Sequence, residues 1–149
     1  MKKNKGFTLI ELMVVIAIIG ILATVVLVSI GSSRDTAANA NVKSNMTNIL
    51  SQAEIVFIRD GNYKAVCGIT TAPVVAKEAR IDKMFLSAQK NSKSTTTALA
   101  CNLDTNSTAF AASAQLRTND NGKGYWCIDS TGFNEAATAA LGAATVCTP

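Results

Sequence analysis

Residues 7–30 read FTLIELMVVIAIIGILATVVLVSI, an apolar run broken by one charge, Glu11, and by Thr8, Thr24 and Ser29. As a helix this run extends about 36 Å at 1.5 Å per residue, enough to cross a hydrocarbon layer of about 30 Å. Ahead of it sits MKKNKG, with Lys2, Lys3 and Lys5 and no acid. The positive-inside rule keeps that basic end in the cytoplasm and places everything after Ile30 outside. The pattern therefore predicts one membrane crossing. Only 16% of the 149 residues are charged, and mean hydropathy is +0.24, because the apolar residues concentrate at the front. The chain has no histidine, which excludes Ser-His-Asp and Cys-His catalysis and any His-ligated zinc site.

Glu11 does not suit the two ordinary readings of such a run. A secretory signal peptide has an apolar stretch of about 7–15 residues before a small-x-small cleavage site. Ser29-Ile30-Gly31 resembles such a site, but the run is longer and holds a carboxylate. A plain single-pass anchor fits the length and leaves Glu11 unexplained. An ionisable residue at membrane depth costs roughly 2.5–3.5 kcal/mol on insertion scales, so it marks a functional candidate.

Lys5-Gly6-Phe7-Thr8-Leu9-Ile10-Glu11-Leu12, with its basic leader and apolar continuation, resembles the class III signal sequence of type IV prepilins and pseudopilins. The resemblance covers about the first 35 residues by motif and the first 60 by layout. It implies an α+β chain in four parts: a leader (1–6), a transmembrane and filament-core helix (7–30), an amphipathic second half (31–60) and a globular head (61–149). It also implies that a prepilin peptidase cuts between Gly6 and Phe7 and that the new Phe7 amine is methylated. Cleavage removes three lysines and lowers the side-chain net charge from +4 to +1, with 11 basic against 10 acidic residues. The basic pI thus belongs to the leader and is no nucleic-acid footprint.

Filament assembly falls to Phe7, Thr8 and Glu11. In a bundle of such helices Glu11 can face the Phe7 amine of a neighbour, cancelling two charges that are costly in an apolar core and fixing axial register. Gly6 precedes the scissile bond, where a side chain would crowd the peptidase. Gly20 lies inside the helix and is the expected point of flexibility, since glycine lowers helix propensity. Many pilins carry a proline about eight residues beyond such a glycine; here Val28 stands there and the first proline is Pro73.

Beyond Gly31, Ala38, Val42, Met46, Ile49, Ala53 and Val56 recur at helical spacing. The pattern stops at Asp60-Gly61-Asn62, so a helix is expected over about 7–60, with one stripe laid on the head. The head of 89 residues is small enough to need reinforcement, and it holds all four cysteines. An even count in a translocated chain reads as disulfides, with three possible connectivities. Sequential pairing is expected: Cys127–Cys147 closes the C-terminal segment onto the sheet, as the pilin resemblance implies, and Cys67–Cys101 ties the loop after the helix to the sheet. A zinc site is the rival, but no C-x-x-C is present.

Residues 76–89 read as a short helix, and Lys77, Arg80, Lys83, Lys90 and Lys93 outnumber Glu78 and Asp82 around it. Such a patch could bind DNA, but a solvated helix face is the commoner explanation. Residues 92–97 read as a polar loop. Residues 108–116 and 124–130 read as strands of a hairpin around a turn over 117–123. Asp120 and Asp129 keep a calcium loop conceivable, although turn chemistry explains them more simply. The alanine-rich end is ambiguous between a helix and a loop with one strand. Asn45-Met-Thr and Asn106-Ser-Thr match the glycosylation sequon, which is weak evidence by itself.

The resemblance implies a structural protein, not an enzyme, with no cofactor and no metal. It waits in the cytoplasmic membrane with its N-terminus inside and ends in an extracellular pilus. Its partners would be further copies of itself, the prepilin peptidase, an inner-membrane assembly platform and minor pilins. A type IV pilus subunit is the first expectation. A pseudopilin of type II secretion or DNA uptake is the alternative, and a tethered binding domain that never polymerises is a third.

Overall fold

The structure, a computed structural model, describes residues 6–67, 78–94 and 99–149. The leader residues 1–5, Pro73, the start of the short helix at 76–77 and positions 95–97 of the polar loop lie outside the described residues. Helix α1 spans Leu9–Asp60. The chain divides into two units, Met1–Arg34 and Asp35–Pro149.

In the first unit the apolar run is helical and covered by no described residue. Leu9, Ile21 and Leu27 are about 70% exposed, and every described side chain over 6–27 is exposed. Its apolar window is long enough to cross a membrane. Within it, Thr24 donates to the Ile21 carbonyl (2.8 Å), which satisfies the hydroxyl locally.

The second unit is a helix-on-sheet body. Helix α2 covers Ala79–Asn91, and strands β1 (Leu99–Leu103), β2 (Phe110–Asp120), β3 (Lys123–Asp129) and β4 (Asn134–Ala137) form an antiparallel meander in chain order. All six residues of the predicted α1 stripe are buried. Val42, Met46, Ile49, Ala53 and Val56 of that stripe share one core with Ile81, Phe85 and Ala88 of α2, and with Phe110, Ala112, Ala114, Leu116 and Ile128 of the sheet. The alternate residue Ala111 joins Cys127, Ala137, Leu141 and Cys147 in a second cluster. The period-2 alternation of strands explains this division. Residues 110–114 of β2 are buried without interruption because both faces of the strand are covered.

Two boundaries differ from the expectation. The hairpin turn is only Asn121-Gly122, at φ 50° and 83°, and not residues 117–123. Positive φ at both positions suits the right-handed twist of a two-residue hairpin. β2 runs through the polar residues Arg117–Asp120 because α1 supplies polar partners there. Asn39 donates through Nδ2 to the Thr118 carbonyl (2.9 Å) and hydroxyl (2.8 Å), while its Oδ1 accepts the Arg117 N–H (2.8 Å). Lys43 pairs with Asp120 at 2.6 Å and lies 4.9 Å from the Trp126 ring centroid. Second, α2 continues to Asn91, beyond position 89. The alanine-rich end takes the second of its two readings, the short strand β4 followed by an irregular tail.

Two disulfides tie the head together. Cys67–Cys101 joins the segment after α1 to β1, with Cα atoms 5.5 Å apart, and Cys127–Cys147 joins β3 to the tail, at 6.0 Å. The tail is also held by polar bonds. Leu141 N–H donates to Ser113 Oγ (3.3 Å), and Asn102 Nδ2 donates to the carbonyls of Gly142 (2.8 Å) and Ala144 (2.7 Å).

Candidate functional site at the start of the first helix

Gly6, Phe7 and Thr8 precede α1 and are exposed, with Phe7 at 82%. A Cβ on Gly6 would meet no atom of the chain within 4 Å, so nothing in the described fold itself requires the glycine. The Gly6–Phe7 bond lies outside the helical hydrogen-bond ladder, with both residues exposed.

Thr8 and Glu11 form a reciprocal cap. Glu11 Oε2 accepts the Thr8 N–H at 2.9 Å and the Thr8 hydroxyl at 2.7 Å, and Thr8 Oγ1 accepts the Glu11 N–H at 3.3 Å. The first turn of a helix leaves N–H groups without helical partners, and a Thr-x-x-Glu box satisfies two of them at once. The carboxylate also complements the positive end of the helix dipole. The box is a second use of two residues expected in assembly, and its signature, Thr-x-x-Glu before an apolar run, is present in the sequence. Both side-chain bonds use Oε2, which leaves Oε1 without a partner among the described residues.

Gly20 is helical, and a Cβ there would also meet no atom of the chain within 4 Å. The other expected features lie in the head. Arg80, Lys83, Lys90 and Lys93 are exposed on or just beyond α2, and none makes an ion pair among the described residues; Lys77 lies outside them. No aromatic side chain of the head is exposed among the described residues, so the patch lacks a stacking platform for bases. Asp120 is engaged by Lys43. Asp129 is fully buried: Oδ1 accepts the Thr131 N–H (2.9 Å), the Thr131 hydroxyl (2.6 Å) and the Phe133 N–H (3.3 Å), and Oδ2 accepts the Cys147 N–H (2.8 Å). Among the described residues no group of three acidic or cysteine side chains could hold a metal ion.

A model of the prokaryotic N-terminal methylation motif matches residues 1–27. The chain is also similar to the type II secretion system core protein G of Klebsiella michiganensis, with 32% identity over 83 residues. That match covers 53% of this chain and 58% of the relative, so the chain spans a little over half of the relative's length. No solved structure matches. Motif, relative and helix-on-sheet fold together support a type IV pilin-like family for this chain. The apolar helix and its motif fit a membrane-anchored precursor.

Proposed function

We propose that the chain is a pseudopilin-type structural subunit of a type II secretion filament. The observation that carries this reading is the similarity to core protein G, which outweighs the first expectation of a pilus subunit. The bare apolar surface of α1 gives the reading its physics. That surface is stable in lipid, and in a filament it exchanges lipid for neighbouring helices. Close packing and polar pairing then set the geometry, because hydrophobicity alone does not favour one apolar surround over another.

Cleavage between Gly6 and Phe7 occurs on the cytoplasmic side of the run and leaves the helix attached to the head. It creates a positive amine at Phe7, one turn before Glu11. The open Oε1 of Glu11 accepts that amine from an adjacent subunit while Oε2 keeps the Thr8 cap. One carboxylate thus orders its own helix start and selects the neighbour's axial offset. Gly20 is the point at which the helix gives way on extraction from the membrane. The role is structural, with the peptidase acting on the chain, and the partners are further copies, minor subunits and a membrane assembly platform.

A pilus subunit is the second reading, favoured by the Cys127–Cys147 disulfide that closes the tail onto the sheet. Deleting the gene and measuring both secreted proteins and surface pili separates the two. Loss of secretion with pili intact is the expected result, loss of pili with secretion intact supports the second reading, and no change in either overturns both.

A further inference from the structure

We infer that Asn106 is an N-glycosylation acceptor, modified outside the membrane by transfer from a lipid-pyrophosphate-linked oligosaccharide. This rests on the export of the head proposed above. The sequence holds two sequons, Asn45-Met-Thr and Asn106-Ser-Thr, and the structure separates them. Asn45 lies within α1, where its Nδ2 donates to the Asn41 carbonyl (2.9 Å), Asn41 Oδ1 (2.8 Å) and Ser87 Oγ (3.3 Å). The next residue, Met46, is fully buried. A glycan on Asn45 would break that network where α1 meets α2.

Asn106 has the opposite setting. It is exposed in the turn between β1 and β2, and its carboxamide has no hydrogen-bond partner among the described residues. The turn is organised from beneath by Asp104, whose carboxylate accepts the N–H of Ala109 (2.8 Å), the hydroxyl of Thr108 (2.9 Å) and the N–H of Asn106 (3.4 Å). Ser107 sits at φ 58°, its N–H donates to the Asp104 carbonyl (3.0 Å), and its own carbonyl accepts the Tyr63 N–H (2.7 Å). These bonds fix the loop through groups other than the Asn106 side chain. A substituent on Nδ2 therefore points to solvent without displacing any of them.

The step balances within the named reactants. Asn106 Nδ2 bonds to C1 of the first sugar while the bond from C1 to the pyrophosphate oxygen breaks. The electron pair leaves with the lipid pyrophosphate, and the amide proton passes to a base of the transferase and then to water. Thr108 supplies the hydroxyl two residues on that the sequon requires.

The test is peptide mass spectrometry on the full chain taken from the outer side of its own cells, reduced and digested with trypsin. The peptide over 94–117, which contains Asn106, is expected to carry excess mass and to release sugar fragment ions, while the peptide over 44–59, with Asn45, is bare. Asn106→Gln and Thr108→Val should abolish the shift. Thr108→Ser and Asn45→Gln should keep it. A bare Asn106 peptide, or a shift that survives Asn106→Gln, overturns the inference. If that bare chain starts at Phe7, export stands and only the glycosylation fails. A chain glycosylated at Asn106 that keeps its leader supports the acceptor and counts against the filament subunit.

Discussion

Single residues in this chain carry more than their position in the sequence suggests. Asp129 is a buried side chain held by four donors that belong to its own turn and to the tail. Replacing it with alanine strands those donors, and each buried unsatisfied group costs about 1–3 kcal/mol. Asp129→Ala is therefore expected to lower stability by about 3 kcal/mol or more, read as a drop in the thermal midpoint of the oxidised chain. A midpoint equal to the parent's would contradict that account. Tyr63 supplies a pH signature. Burial first, and then its hydrogen bond to Glu54 at 3.0 Å, push its phenol from 10.0 up to about 12. A folded pKa above the unfolded one gives stability that is complete below pH 10 and is lost as pH rises towards 12. Tyr63→Phe should flatten that alkaline loss in denaturant titrations. At the acid end the Ala109 N–H, aided by the Thr108 hydroxyl and the Asn106 N–H, holds Asp104 below the usual carboxylate range.

Elements were legible where one period dominates. The α1 stripe from Ala38 to Val56 could be read directly, because spacings of three and four leave no other regular structure that gathers those residues on one side. The hairpin was legible in outline but not in extent. Arg117, Thr118, Asn119 and Asp120 look like turn residues, yet they continue β2 because Asn39 and Lys43 answer their polar groups from α1. Local sequence cannot announce a partner 78 positions away. β1 was hidden for a related reason: five residues including a cysteine and an asparagine carry little strand pattern. Asn39→Ala should accordingly release the outer end of β2. The expected signature is faster amide exchange at Arg117, with exchange at Ala112 and Ala114 unchanged. Equal rates at Arg117 in parent and variant would show that Asn39 is not what holds the strand end.

At the scale of the whole molecule, a water-stable head carries an apolar helix start that water alone cannot accommodate. The Thr8–Glu11 box shows how much of the N-terminal site was available to inspection: its Thr-x-x-Glu spacing is plain, but a carboxylate at membrane depth invites an intermolecular explanation first. The structure adds an intramolecular one and leaves one carboxylate oxygen open for the other. Glu11→Ala is thus expected to yield chains that are cut and inserted normally but enter few filaments; normal filament yield would contradict the pairing. The most direct measurement of the central claim is the intact mass and N-terminal sequence of the chain recovered from sheared surface filaments. A chain that begins at Phe7 and is one methyl group heavier is the predicted result. A chain that begins at Met1 and occurs only in membranes would contradict it.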